Sequence, residues 1–561
     1  MRLSDRQRLA YLYGHETWRR FSRRLAVGRV STLRFAGRTP DRLVVAPTDL
    51  RPADAFTAEE IIGGRFPLAG RLLDCEGESP FALALPSEEF ANRLHSFAWL
   101  RHMRVAEKDA GSFVVRRIID DWIAIHGRTI AGVAWRPEVI AQRIVAWLSH
   151  SPVVLRDADY AFYRRFLKSL AFQVRYLRHI ADATPDGEPR LKVRIALAMA
   201  SIAMPNSPTK IRRAARGLDR ELDRQILADG GHVSRNPRVG LDLLFDLLPL
   251  RQTYVNLGHD VPQQLIPCID RIYPALRFFR HQGGELALFN GATYTLANEL
   301  LSVLRYDETS GAPFRGLPQT GYERLETGET TIIVDTGKPH SVALSTTATA
   351  GCLSLEMSSG RHRYFVNSGR PRFAGEAIRQ LSRATAAQSV ATLNDTSSAR
   401  ISDSGFLGPV IFGGVSKVDV ARHDKTDGAD GLVASHDGYV ANFGLVYERD
   451  LYLGRNGGDI RGRERFAKPD GTAPDGGANV AVVRFHIHPA IRIVAVDQNE
   501  VRLVAQDGET WAFSCRDVPV AEEEDVFFAD PSGVRPARQL TLTMPLGSIP
   551  EVQWHMRRER R

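Results

Sequence analysis

The sequence is poor in cysteine: four in 561 residues, Cys75, Cys268, Cys352 and Cys515, none near another. That excludes a disulfide-stapled scaffold and a CxxC zinc ribbon. Apolar neighbours around each predict buried free thiols, the state of a reducing compartment. Lysine is scarce as well, with only eight among 74 basic residues. The skew is compositional and names no nucleic-acid partner, which would need a basic face on the folded body. No run approaches the roughly 18 apolar residues of a membrane span. The N-terminal stretch from Met1 to Arg29 scatters charge throughout and lacks the apolar core of a secretory signal. A cytoplasmic location is therefore expected, with periplasm or cell envelope as the alternative.

What is present is unevenly placed. The net charge is +9, yet residues 1–42 alone carry +8 and Arg557 to Arg561 a further +3, leaving the middle close to neutral. The Arg-rich N-terminus, with Leu9, Leu12, Trp18, Phe21 and Leu25, is a candidate amphipathic helix. The preferred reading docks that helix on its own protein; weak contact with a membrane surface is the alternative. Residues 43–85 are irregular, with short apolar runs broken by Pro and Gly. From Ser87 to Arg305 a helical period takes over. Phe162, Phe166, Leu170, Val174 and Leu177 share one face, as do Ile140, Ile144 and Leu148, and Leu218, Leu222 and Ile226. Helix following helix with no strand between predicts packed helical hairpins.

Near residue 306 the period changes. Beyond the turn-rich DETSGAPFRGLPQTG come short β-branched runs, TTIIVD, RYFVN, VVRFHIHP, EVRLVA and QLTLTM, separated by turns such as Asn456-Gly457 and Asp507-Gly508. This is the pattern of an antiparallel all-β domain. The Gly-rich stretch 454–480 reads as one surface loop. The expected organisation is an arm and irregular segment over 1–86, a helical domain over 87–305 and a β domain over 306–561.

Three segments resemble the heparinase II/III-like polysaccharide lyases across about residues 90–555. The first is Asp229-Gly230-Gly231-His232-Val233-Ser234-Arg235-Asn236-Pro237. The second runs from Ala350-Gly351-Cys352-Leu353-Ser354 through Tyr364 to Gly369 and on to Arg383–Ser389. The third comprises His436-Asp437-Gly438-Tyr439, Tyr447-Glu448-Arg449 and Arg484 to Pro489. The resemblance implies an α+β multidomain chain, an N-terminal incomplete α/α toroid followed by a C-terminal antiparallel β-sandwich. It also implies β-elimination at a uronic acid of an acidic polysaccharide or oligosaccharide, with no cofactor. Elimination needs a group that neutralises the substrate carboxylate, a base for the C5 proton and an acid for the leaving oxygen. The chain departs from the family where a Tyr-His pair becomes Val239-Gly240, a Glu becomes Ser234, and further His positions hold Thr349, Gln388 and Tyr447.

Candidate catalytic residues are then His232, Tyr447 and His436; candidate substrate-binding residues are Arg235, Asn236, Gln388, Tyr439 and Arg449. His232 stands at a predicted helix start, where the dipole favours a neutral imidazole, against the plainer reading of a capping histidine. Arg235 can hold a carboxylate bidentately, and Asn236-Pro237 also fits an ordinary helix start. Tyr447 and Arg449 share a strand face, as acid and cation or as a sheet-surface pair. His486 and His488 have a metal-compatible spacing but no evident third ligand, so no metal is expected. Asn290 and Asn367 read as satisfied buried amides, and Trp99, Trp122, Trp135, Trp147, Tyr160 and Tyr163 mostly as core. His232, Arg235, Asn236, Gln388, His436 and Tyr447 should line one cleft where the two domains meet. Two functions fit: a lyase of an acidic polysaccharide, or a catalytically degenerate glycan-binding or envelope-polysaccharide accessory protein.

Overall fold

The computed structural model describes residues 3–26, 34–106, 108–127, 129–423, 428–475 and 477–559. Helices follow one another from Glu88–Ser96 to Ala297–Leu304, interrupted only by isolated bridges such as Ile226 to His232. Asp159 caps Tyr160–Ile180 by accepting from the Phe162 N–H, and Phe162, Phe166, Leu170, Val174 and Leu177 are all buried along its inner face. Full burial of each such side chain contributes about 1.5–3 kcal/mol. Helix Pro137–Ser149 packs on Glu188–Ala203, which packs on Pro208–Gln225 and on Pro237–Asn256. The result is an incomplete α/α toroid around one apolar core that contains Trp99, Trp122, Trp135 and Trp147. Tyr160, by contrast, is 76% exposed.

From Gly316 onward the described strands form two large antiparallel sheets and a small ribbon, Ala399–Ile401 with Ile411–Gly414. The eight-stranded sheet runs, in spatial order, from Val418–Arg422 through Asp430–His436, Val446–Leu453 and Asp459–Ala467. It continues through Glu551–Arg558, Thr510–Cys515 and Glu500–Val504 to Arg492–Ala495. The nine-stranded sheet carries Val520–Asp530, Gly533–Pro545, Val480–Ile487, His362–Val366, Leu355–Ser359 and Thr330–Asp335 as its main strands. Period-2 alternation turns one face of each sheet inward, where Phe365, Phe485, Phe513 and Trp554 meet. The toroid-plus-sandwich architecture agrees with the sequence pattern.

Three local expectations are corrected. Residues 454–480 are not one loop, because Asp459–Ala467 is an interior strand whose alternate residues are buried; its glycines and arginines mask that alternation. The segment 43–85 holds a helix, Ala55–Ile62, capped by Asp54, and the hairpin Arg65–Leu68 with Arg71–Asp74. His488 lies beyond the strand that carries His486. His486 pairs with Asp525 at 2.6 Å and His488 accepts from Arg363 at 3.1 Å, so the two bind separate partners.

The N-terminal helix Leu3–Ala26 docks on the β domain. Tyr13 stacks on Phe406 and donates to Ser404, and Arg20 lies over the Phe406 ring. Trp18, at 68%, and Phe21, at 51%, stay exposed; the side chain of Leu25, and Arg560 and Arg561, lie outside the described residues. No described helix is long and apolar enough to cross a membrane.

Candidate functional site

The segment Asp229–Pro237 is a joint between the two halves. The Asp229 carboxylate accepts from the backbone N–H groups of Gln319 and Thr320 and from the Thr320 hydroxyl. Gly230 has φ +83°, and a Cβ there would stand 1.9 Å from the Arg271 carbonyl oxygen. A Cβ on Gly231 would stand 1.9 Å from Thr320 Oγ1. Both glycines are therefore required by close approach. Arg235, left-handed at φ +63° and 3% exposed, donates to the carbonyls of Thr320 and Gly321 and pairs with Asp335. Asn290 donates to the other Asp335 oxygen at 2.8 Å and to Tyr322 Oη, and Tyr322 donates to the Arg235 carbonyl. Asn367 likewise accepts from Ser389 N–H and donates to Glu356. Both asparagines are satisfied buried amides.

His232 is buried behind that joint. Its Nε2–H donates to Gln225 Oε1 at 3.0 Å, and Nδ1 accepts from the Ser234 N–H at 3.1 Å. Burial, more than any helix terminus, lowers its pKa to about 4. His436 is buried against Tyr439 and Tyr447, its pKa also lowered by burial to about 4. Tyr447 is no acid primed by a neighbouring cation. Burial drives its pKa well above 10, outweighing Arg449, and its hydroxyl donates to Glu464. Arg449 is fully buried, paired with Glu464 at 3.0 Å and bonded to the Leu353 and Ser389 carbonyls. The pair thus belongs to the sandwich core and not to a sheet surface. Tyr439 donates to the Ala391 carbonyl, and Gln388 to that of Ser382.

The cleft between the halves has a volume of about 930 Å³. Of the six residues expected there, Asn236 lines it and His232, Arg235, Gln388, His436 and Tyr447 do not; nor do the other two substrate-binding candidates, Tyr439 and Arg449. The reason is one of partners: those seven side chains satisfy the joint and the two cores. Asn236 caps helix Pro237–Asn256 through Oδ1, which accepts from Arg238 N–H at 2.9 Å. Its side-chain NH2 has no protein partner among the described residues.

The cleft walls carry eight basic and eight acidic side chains, so the site is charge-balanced, unlike a uniform polyanion groove. Several cations are held by carboxylates: Arg51 by Asp246 at 2.9 Å, Arg238 by Glu299 at 3.0 Å, Lys192 by Glu188 at 2.5 Å. Arg101 and Arg370 have no carboxylate within 4.0 Å among the described residues. Burial, then Arg51, lowers the Arg101 pKa to about 10; burial, then Arg379, lowers that of Arg370. Arg93 is lowered by burial and by Arg372. Guanidinium groups that crowd one another so favour an incoming anion.

Beside the cleft stands Tyr294, which the sequence reading does not single out. Arg372, a wall residue, donates to its hydroxyl at 3.1 Å and lies 5.1 Å from its ring centre, and Arg238 donates to its carbonyl. The cleft histidines are His102 and His150. His102 Nδ1 accepts from the Asp54 N–H at 2.9 Å, and burial lowers its pKa to about 4. His150 Nε2 lies 3.3 Å from Asp49, and burial lowers its pKa as well.

Comparison with known proteins agrees with this architecture. The family description "Heparinase II/III-like, C-terminal" matches residues 309–555. "FtsZ-localized protein C" of Caulobacter vibrioides is 32% identical over 493 residues, which cover 85% of this chain and 84% of that protein. Among solved structures, a heparinase III superposes with TM-score 0.72 at 14% identity, over 94% of this chain and 88% of that one. The heparan sulfate lyase HepC of Pedobacter heparinus superposes with TM-score 0.60 at 16% identity, over 94% and 87%. At such identities the two superpositions speak for the fold.

Proposed function

The chain belongs to the heparinase II/III-like family, and from that premise we propose that it binds an acidic saccharide in the interdomain cleft without cleaving it, as an accessory protein. The observation that carries this reading is the division of the family-type residues. Asn236 lines the cleft, as do Arg101 and Arg370, which have no carboxylate within 4.0 Å among the described residues, while His232, His436 and Tyr447 are buried in bonds elsewhere. A carboxylate can be seated there; a matched base and acid are not both at hand. The balanced charge favours a saccharide of modest charge density over a heavily sulfated one. The curated relative, named for localising with FtsZ, supports an accessory role.

One observation favours elimination instead: Tyr294, held beside the cleft by the wall residue Arg372, offers a phenol that can move a proton. One set of measurements separates the readings. Purified protein is mixed with polyuronates and bacterial acidic exopolysaccharides, and calorimetric binding is read beside the ultraviolet absorbance of the 4,5-unsaturated product. Binding with no rise in absorbance is expected. Arg101→Ala and Arg370→Ala should each weaken binding by about 10–100-fold, since a hydrogen bond to a charged group contributes about 1.5–3 kcal/mol. A rise in absorbance abolished by Tyr294→Phe would make the chain a lyase; absence of binding to every saccharide would remove the proposal.

We also propose that the exposed aromatic side of helix Leu3–Ala26, with Tyr11, Trp18 and Phe21 set among arginines, rests weakly on an anionic membrane surface.

A further inference from the structure

We propose that His362, Asp507 and Glu509 form a divalent metal site that clips the two sheets of the sandwich together, with zinc as the fitting ion. His362 opens strand His362–Val366 of the nine-stranded sheet. Asp507 and Glu509 flank Gly508 in the hairpin between Glu500–Val504 and Thr510–Cys515 of the eight-stranded sheet. One ligand atom from each lies within 4.8 Å of the other two, the one such His/Cys/Asp/Glu group among the described residues. Zinc bonds of about 2.0–2.2 Å place neighbouring ligand atoms about 3.3–3.6 Å apart, so small side-chain rotations close the set.

The three groups are held in position by their surroundings. Asp507 Oδ1 accepts from the Glu509 N–H at 3.0 Å, while Oδ2 faces His362 Nε2 at 3.2 Å. That Nε2 is buried and takes part in no hydrogen bond. Glu509 Oε1 accepts from the Ser359 hydroxyl and from Trp511 Nε1 at 2.9 Å, which fixes the carboxylate's plane. Such partners raise metal affinity by orienting the ligand. Tyr364 of the first sheet donates to the Glu509 carbonyl, so the two hairpins are already in register. Arg361, 74% exposed and 3.9 Å from Asp507, is the cation an arriving metal replaces. One imidazole nitrogen with two carboxylates suits zinc better than calcium or magnesium, which take oxygen ligands. Asp507 is exposed, so solvent can reach the group and a water would complete the sphere.

The test uses the full, untagged chain, stripped with EDTA and dialysed against zinc chloride or cobalt chloride. One zinc equivalent should be retained, the melting temperature should rise, and cobalt should give a visible d–d band. His362→Gln should lose the equivalent and the band while keeping the apo protein's circular dichroism. Asp507→Asn provides a second variant should His362→Gln fail to fold. Ser359→Ala should keep the site but weaken it about tenfold. No retained metal in the wild type, or an equivalent and a cobalt band unchanged in both ligand variants, would overturn the proposal.

Discussion

Arg235 shows what a single side chain does here. Its guanidinium bonds two backbone carbonyls of the β domain and the Asp335 carboxylate, with almost no solvent contact. Arg235→Ala leaves that carboxylate buried without its cation, which costs about 3–5 kcal/mol. Urea unfolding should show the loss; a change below about 1 kcal/mol would contradict the role assigned. The sequence marks this residue through its motif and yet misleads about its task, because a cation that neutralises an internal acid and one that neutralises a substrate look alike in one dimension. Asn236, next to it, is both cap and cleft residue, so its two readings hold together. Arg101, Arg370 and Tyr294 are not legible in the sequence: they stand in separate segments, and only tertiary packing brings Arg101 and Arg370 to one cleft with Tyr294 beside it.

Among elements, the long periodic helices and alternating strands were readable because their faces are set by burial: Tyr160–Ile180 buries the five residues its period picks out. The strand Asp459–Ala467 was hidden because four of its nine residues are glycine or arginine, three of them, Arg461, Gly462 and Arg463, in a row. Gly462 is there for Trp554, whose indole would stand 2.0 Å from a Cβ. The metal cluster escaped reading for a related reason, since His362 and Asp507 meet only when two hairpins of different sheets come together. The N-terminal helix has a clear amphipathic stripe, but Tyr13 and Arg20 use its other side for docking. Its test is sedimentation with vesicles. Trp18→Ala with Phe21→Ala should lower the bound fraction on anionic vesicles several-fold and leave the melting temperature unchanged; equal sedimentation of both proteins would remove the membrane contact.

For the whole molecule, buried neutral histidines set an acid limit. His232, His102 and His436 are lowered to about 4 and His95 to about 3, each chiefly by burial. Unfolded, each titrates near 6.5. Between those values the unfolded chain binds more protons than the folded one, so stability rises with pH through this window. Stability should thus be fully present above pH 6.5 and fall as pH drops toward 4, by about 1–3 kcal/mol per histidine. Melting temperatures taken every half unit across that range check it; a flat profile would mean these imidazoles are solvated. The joint that shelters His232 has a consequence for the segment it is built from. Asp229, Gly231 and Arg235 answer to the fit of one half against the other, and Gly230 to the helix Leu265–Phe279 beside it; those demands are the same whether or not a sugar is ever cleaved. The stretch by which such a chain is recognised can therefore outlive the reaction, as a hinge plate outlasts the lock fitted beside it.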